Sequence, residues 1–203
     1  MKKLNLPNKL TLLRLILVPV FVVVMLLSNE LWASITGLCL FIIASLTDML
    51  DGKIARKYNL ITDFGKFLDP LADKFMVIGA GLVILYKSLT GGAPKLFCIL
   101  FFVAMLIVIF RELAVTAMRL VVSSSANVVV AANMLGKIKT CTQIACIIVC
   151  IVEPIFYSLL PNAGTLPTIL PASLVTSALM AFFTLLSGIN YLNAYWKYLN
   201  PEK

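Results

Sequence analysis

The chain contains no histidine, and only 13% of its 203 residues are charged. Without imidazole, a metal site here has to be built from oxygen or sulfur donors. Sulfur is poorly placed for that. Cys39, Cys98, Cys141, Cys146 and Cys150 all lie in apolar stretches, and Cys146 and Cys150 share a helical spacing. Their number is odd and no Cys-x-x-Cys occurs, whereas a thiolate site without histidine calls for a tetrad. They read as small hydrophobic packing residues with no disulfide implied. The scarcity of charge beside 61% hydrophobic residues excludes a water-soluble domain, which could not hide so much apolar surface at this length. Also missing are a repeat, a linker and a composition break, so residues 1–203 read as one domain. The basic residues form no domain of their own, which argues against nucleic acid as a partner. The first residues lack a signal-peptide layout with a small-residue exit, so no cleaved leader is expected. No Gly-x-x-x-Gly falls inside an apolar run, so no association motif stands out.

Long apolar runs dominate what is present. About 20 apolar residues span the ~30 Å hydrocarbon core as a helix. Six runs qualify, near Leu10–Ser28, Leu31–Ala55, Lys66–Tyr86, Leu96–Val121, Leu135–Leu160 and Ile169–Tyr195. The expected fold is therefore all-α, a polytopic membrane protein with six transmembrane helices. Turn chemistry separates the runs at Ser28-Asn29-Glu30, Gly91-Gly92-Ala93-Pro94 and Pro161-Asn162-Ala163-Gly164. Leu4 to Asn8 reads as a short interfacial segment, with Asn5 or Asn8 capping the first helix beside Pro7. If both ends lie on the inner side, all seventeen Lys and Arg except Lys87 and Lys95 collect there. That orientation puts the acids of the second and third runs on the same side. The net charge of +8 suits an anionic leaflet.

Those acids follow a pattern: Asp48-x-x-Asp51-Gly52-x-x-Ala55-Arg56, then eight residues, then Gly65-x-x-x-Asp69-x-x-x-Asp73. An ionised carboxylate at the bilayer centre costs about 2.5–3.5 kcal/mol, so four would cost roughly 10–14 kcal/mol. They need a wet, cation-loaded cavity. At 100° per residue Asp51, Gly52 and Ala55 fall within about 60° of Asp48, forming one stripe that combines two acids with two small residues. Gly52 and Ala55 give a flat or bulky ligand access to the backbone. Arg56, at the edge of the stripe, is placed to fork onto phosphate. Gly65, Asp69 and Asp73 repeat the arrangement on the next helix, where Asp69-Pro70 reads as a first turn. An all-oxygen donor set selects Mg²⁺ or Mn²⁺. Four carboxylates have the capacity for two such ions, which clamp an in-line phosphoryl displacement. Asp73, last in the series, is placed to act as general base. The plainer reading pairs the acids with Lys53, Lys57, Lys66 and Lys74 at the interface, but leaves the small residues of the stripe without a purpose.

These eight positions match the signature of the CDP-alcohol phosphatidyltransferase family, integral membrane enzymes with six transmembrane helices. The resemblance implies that Asp48, Asp51, Asp69 and Asp73 hold two divalent cations and that Asp73 is also the catalytic base. It further implies that Gly52, Ala55, Arg56 and Gly65 contact the cytidine diphosphate, and that the enzyme is a homodimer. Further stretches resemble the bacterial members that transfer phosphatidyl from CDP-diacylglycerol to glycerol 3-phosphate: Asn5-Leu6-Pro7-Asn8-Lys9-Leu10-Thr11-Leu12-Leu13-Arg14, Gly65 to Lys74, Arg111-Glu112, Arg119-Leu120 and Leu135-Gly136-Lys137-x-Lys139-Thr140. That likeness runs nearly full length and implies a multi-pass protein of the bacterial cell membrane, with termini and site cytoplasmic.

The residues themselves favour an anionic acceptor. Arg111, Glu112 and Arg119 sit in the fourth apolar run, joined by Lys137 and Lys139 at the start of the fifth. Basic side chains take phosphate oxygens and a carboxylate takes hydroxyl hydrogens, and glycerol 3-phosphate offers both. An internal ion pair of Glu112 with Arg111 or Arg119 is the structural alternative. Thr11 and Arg14 are assigned to CDP-diacylglycerol binding, with snorkelling of Arg14 to the interface as the competing reading. Phe101-Phe102 and Phe182-Phe183 read as packing or lipid-facing positions. Three rival functions remain: another acceptor (inositol phosphate, serine or phosphatidylglycerol), an intramembrane prenyltransferase, or a divalent-cation path, for which only Glu30 and Glu153 lie on the outer side.

Overall fold

A computed structural model describes residues 5–58, 62–126, 134–160 and 170–196. Within them the chain forms six α-helices: α1 (Leu6–Leu27), α2 (Leu31–Lys57), α3 (Asp63–Thr90), α4 (Lys95–Ala126), α5 (Met134–Ser158) and α6 (Pro171–Tyr195). Five of these, all but α3, are long and apolar enough to cross a membrane, and the chain is a polytopic helical membrane protein. The exception is instructive. Asp69, Asp73 and Lys74 in its first half and Lys87 near its end leave α3 an uninterrupted apolar run only from Phe75 to Tyr86. It packs against α1, α2, α4 and α5.

In α1, Val18, Phe21 and Met25 are buried while Leu13, Ile16, Val20, Val23 and Leu27 are exposed. Both faces are apolar, as a helix between a packed core and lipid requires. The adjacent Phe101 and Phe102 divide in the same way, Phe101 stacking on Phe97 inside while Phe102 faces out. In α6 the polarity is reversed. Ser173, Ser177, Thr184, Ser187 and Tyr191 are buried, and Leu179, Phe182, Leu185 and Ile189 are exposed. Lipid takes the apolar side and the bundle takes the polar one.

Three helix ends differ from the sequence reading. First, α1 begins at Leu6, so the expected interfacial segment is continuous with the first span from there on. Asn5 is the N-cap by position but makes no side-chain cap bond. Asn8 lies inside the helix and donates to Thr62 Oγ1 at 2.9 Å, tying the start of α1 to the start of α3. Second, α3 starts at Asp63 rather than at Asp69-Pro70. Thr62 caps it by accepting from Gly65 N–H at 3.1 Å, which leaves Pro70 inside the helix with no N–H for the carbonyl four residues back. Third, Glu153, buried in α5, accepts the backbone N–H groups of Ala172 (3.0 Å) and Ser173 (2.7 Å). A carboxylate from one helix thus caps the next, where orphan amides and the helix dipole favour negative charge. The turn after α3 forms at Gly91-Gly92 as expected, with Gly92 at φ 73°, a conformation that glycine takes without strain. The expected turn at Pro161–Gly164 lies outside the described residues. All five cysteines are free, and Cys98, Cys146 and Cys150 are core residues.

Candidate active site

At one end of the bundle, α1 carries a fully buried cation into the acids of α2 and α3. Arg14 has no exposed surface. Its Nη1 lies 2.5 Å from both Asp48 Oδ1 and Asp73 Oδ1, and its Nη2 pairs with Asp51 Oδ2. One turn earlier, Thr11 Oγ1 lies 2.8 Å from Asp69 Oδ1 and 3.4 Å from Asp51 Oδ2. Thr11 and Arg14 therefore touch all four aspartates between them. Burying a guanidinium demands this much compensation, since its charge costs several kcal/mol to strip of water. Snorkelling is excluded for Arg14, because its head points into the bundle.

The acids are not equivalent. The Asp51 side chain is 6% exposed, Asp48 30% and Asp73 52%. Asp51 also accepts from the Gly52 backbone, and Asp73 is within hydrogen-bonding reach of Asp48. Among the described residues no three carboxylates form a metal cage in this arrangement, since Arg14 lies between them. The donors are nonetheless all oxygen and converge on one cationic centre, which is the chemistry a hard divalent cation needs. Gly65 is buried beneath them. A β-carbon there would stand 2.9 Å from Asn8 Oδ1 and 3.3 Å from Thr62 Oγ1, so a larger residue would displace the Asn8–Thr62 contact that ties α1 to α3.

Beside the acids lies a second cluster. Glu112 pairs with Lys139 and, at 3.3 Å, with Arg111 Nη1. Arg111 Nη2 donates to Ser187 Oγ at 2.6 Å, and Arg119 Nη2 donates to Tyr191 Oη at 2.6 Å. Both guanidiniums also lie over the Tyr191 ring, 5.5 Å (Arg111) and 5.1 Å (Arg119) from its centroid. Lys74 donates to Thr116 Oγ1, joining α3 to α4. Thr116 Oγ1 in turn donates to the Glu112 carbonyl at 2.6 Å, so Lys74, the neighbour of Asp73, connects the two clusters.

A family model described as CDP-alcohol phosphatidyltransferase matches residues 4–189. A CDP-diacylglycerol–glycerol-3-phosphate 3-phosphatidyltransferase of Bacillus subtilis (strain 168) is 40% identical over 210 residues, covering 98% of each chain. One of the same name from Rickettsia felis is 33% identical, covering 96% of this chain and 97% of its own. A probable phosphatidylglycerophosphate synthase of Mycobacterium tuberculosis is 36% identical, covering 93% and 80%. The chain belongs to the CDP-alcohol phosphatidyltransferase family.

On this phosphatidyltransferase frame, most of the residues singled out from sequence come together. Asp48, Asp51, Asp69, Asp73, Thr11, Arg14 and Gly65 share the first cluster, and Arg111, Glu112 and Lys139 share the second. Arg119 is held by Tyr191 rather than by Glu112, because two helical turns separate it from the acid. Lys137 is exposed and stands outside the described hydrogen-bond network. The side chains of Ala55 and Arg56 lie outside the described residues. Thr62, Lys74, Thr116, Ser187 and Tyr191 were not anticipated as site residues. A signal for the last two existed: Thr184, Ser187 and Tyr191 recur at i, i+3 and i+7 in an apolar helix, marking a polar stripe that has to face inward.

Proposed function

We propose that this chain transfers the phosphatidyl group from CDP-diacylglycerol to glycerol 3-phosphate, giving phosphatidylglycerophosphate and CMP. One observation carries the reading: Lys74, next to Asp73 of the acid cluster, donates to Thr116, whose hydroxyl in turn donates to the Glu112 carbonyl of the basic cluster, so α3 and α4 hold the two clusters side by side. The names of the full-length relatives support the same substrates.

Asp48, Asp51, Asp69 and Asp73 would hold two divalent cations, Mg²⁺ or Mn²⁺, which supply positive charge to the diphosphate and polarise the reacting phosphorus. Gly52, Ala55, Arg56 and Gly65 would bind the cytidine diphosphate. Arg14 Nε is buried with no hydrogen-bond partner among the described residues, a donor that a phosphate oxygen would satisfy. Arg111, Arg119 and Lys139 would take the phosphate of glycerol 3-phosphate, Glu112 a hydroxyl hydrogen, and Lys137 would steer the anion from outside. Asp73, the most open of the three acids on Arg14, would accept the proton of the primary hydroxyl. The freed oxygen attacks the phosphorus bearing diacylglycerol, that phosphorus loses its bond to the bridging oxygen, and CMP departs with the electron pair. Arg14, and Arg56 by the family resemblance, would stabilise the charge that develops there.

By the positive-inside rule, the site and both termini would face the cytoplasm of a bacterial cell. The homodimer is proposed from family resemblance alone. The function is tested by incubating detergent-purified protein with CDP-diacylglycerol, divalent cation and glycerol 3-phosphate and identifying the lipid product. Phosphatidylglycerophosphate with equimolar CMP supports the reading. CMP formed only with another alcohol overturns the acceptor.

A further inference from the structure

A single buried tyrosine on α6 holds both arginines of the basic cluster, and no reading above gives it a part in the reaction. Arg111 and Arg119 lie eight residues apart on α4, hence about 12 Å along its axis and about 80° apart around it. Left to themselves, two long side chains of like charge would spread and sample many rotamers. Tyr191 removes that freedom in two ways. Its hydroxyl accepts from Arg119 Nη2 at 2.6 Å, and its ring lies under both guanidiniums. The ring is itself fixed, 4% exposed and stacked on Tyr195 at 6.0 Å. One turn earlier, Ser187 accepts from Arg111 Nη2 at 2.6 Å. The intervening Gly188 keeps α6 close, since a β-carbon there would meet Arg111 Cγ at 3.2 Å. Arg111 Nε is buried with no partner among the described residues, a donor available to an anion.

We propose that Tyr191 is a positioning residue for acceptor recognition: it fixes the Arg111 and Arg119 guanidiniums beside one ring and so helps select an acceptor carrying a phosphate monoester. This rests on the acceptor-site reading above. Pre-organised donors cost less to order on binding, so the tyrosine acts on acceptor affinity rather than on the chemical step.

The test is steady-state kinetics with each substrate varied in turn, on the parent protein and four variants. Tyr191→Phe keeps the ring and loses the acceptor oxygen. It should raise KM for glycerol 3-phosphate about tenfold, the effect of losing one hydrogen bond to a charged group, while kcat and the CDP-diacylglycerol KM stay within about twofold. Tyr191→Leu, lacking the ring as well, should raise the acceptor KM further. Ser187→Ala, which leaves Tyr191 intact, should raise it by removing the acceptor on the Arg111 side. Arg119→Gln separates the two levels of the argument. If Arg119→Gln raises the acceptor KM and neither Tyr191→Phe nor Ser187→Ala does, the positioning role is wrong and the acceptor site stands. If Arg119→Gln also leaves it unchanged, the acceptor-site reading falls and the inference with it. A uniform loss in kcat and in both KM values for Tyr191→Phe would mark the tyrosine as merely structural and overturn the proposal.

Discussion

Arg14→Met tests whether the acid cluster is held together as the geometry says. The wild-type guanidinium has no exposed surface and touches three carboxylates of unequal burial. The limb to Asp73, whose side chain is 52% exposed, is screened by water and adds little. The limb to Asp51, 6% exposed, decides the outcome, because the substitution strands that carboxylate without its cation. Breaking a buried pair in this way costs about 3–5 kcal/mol, and the partial exposure of the other acids places the effect near the lower end. For a chain of this size about 1 kcal/mol moves the melting midpoint by roughly 2–4 °C, so a fall of about 6–12 °C is expected. The assay is apparent melting of the detergent-purified protein in chelator, followed by titration with Mg²⁺. The variant should melt lower in chelator and recover more than the parent on Mg²⁺ addition, since a bound cation replaces the missing charge. Arg14→Lys, which keeps the charge and loses the fork, should fall in between. Identical melting of parent and Arg14→Met in chelator would refute the argument that Arg14 balances the acids.

Three further outcomes follow from other contacts. Asp73→Asn should fold, retain divalent-cation binding and lose about 10²–10⁴-fold in kcat, the usual worth of a positioned base; near-wild-type turnover would remove Asp73 from that role. Glu153→Ala leaves the Ala172 and Ser173 amides without their acceptor, which costs about 1–3 kcal/mol, so melting should fall while activity at low temperature persists. An unchanged melting midpoint would show that α6 needs no cap from α5. Gly65→Ala drives a β-carbon to 2.9 Å from Asn8 Oδ1 and should destabilise by about 1–3 kcal/mol through overpacking, with Asn8→Ala relieving part of the loss. No rescue in the double variant would place the strain elsewhere.

Much of this was legible in the sequence, for a physical reason. Membrane helices declare themselves through uninterrupted apolar runs, and α1, α2, α4, α5 and α6 match the expected spans closely. The third was legible through its acids instead: Asp69 and Asp73 at i and i+4 place both carboxylates on one face. Its start was misplaced because Asp69-Pro70 imitates a first turn, whereas the hydroxyl of Thr62 caps the helix earlier. Which partner a buried polar group chooses was harder to read. Spacing alone paired Glu112 with Arg111 or Arg119, but Lys139 and Tyr191 arrive from helices distant in sequence. Arg14 looked equally suited to the interface because position in an apolar run does not reveal the face. Only the packing, in which Thr11, Val18, Phe21 and Met25 share its buried stripe, settles it. Of the two outer-side acids, Glu30 and Glu153, that a cation path would use, the structure buries Glu153 and gives it a capping role.

The most direct test of the central claim is CMP release from CDP-diacylglycerol by the purified protein with Mg²⁺ or Mn²⁺, comparing glycerol 3-phosphate, serine, inositol phosphate and phosphatidylglycerol as acceptors, with Asp69→Ala as control. The account predicts CMP and phosphatidylglycerophosphate with glycerol 3-phosphate, and nothing from Asp69→Ala. Release with serine or phosphatidylglycerol in preference, or activity surviving in Asp69→Ala, would contradict it.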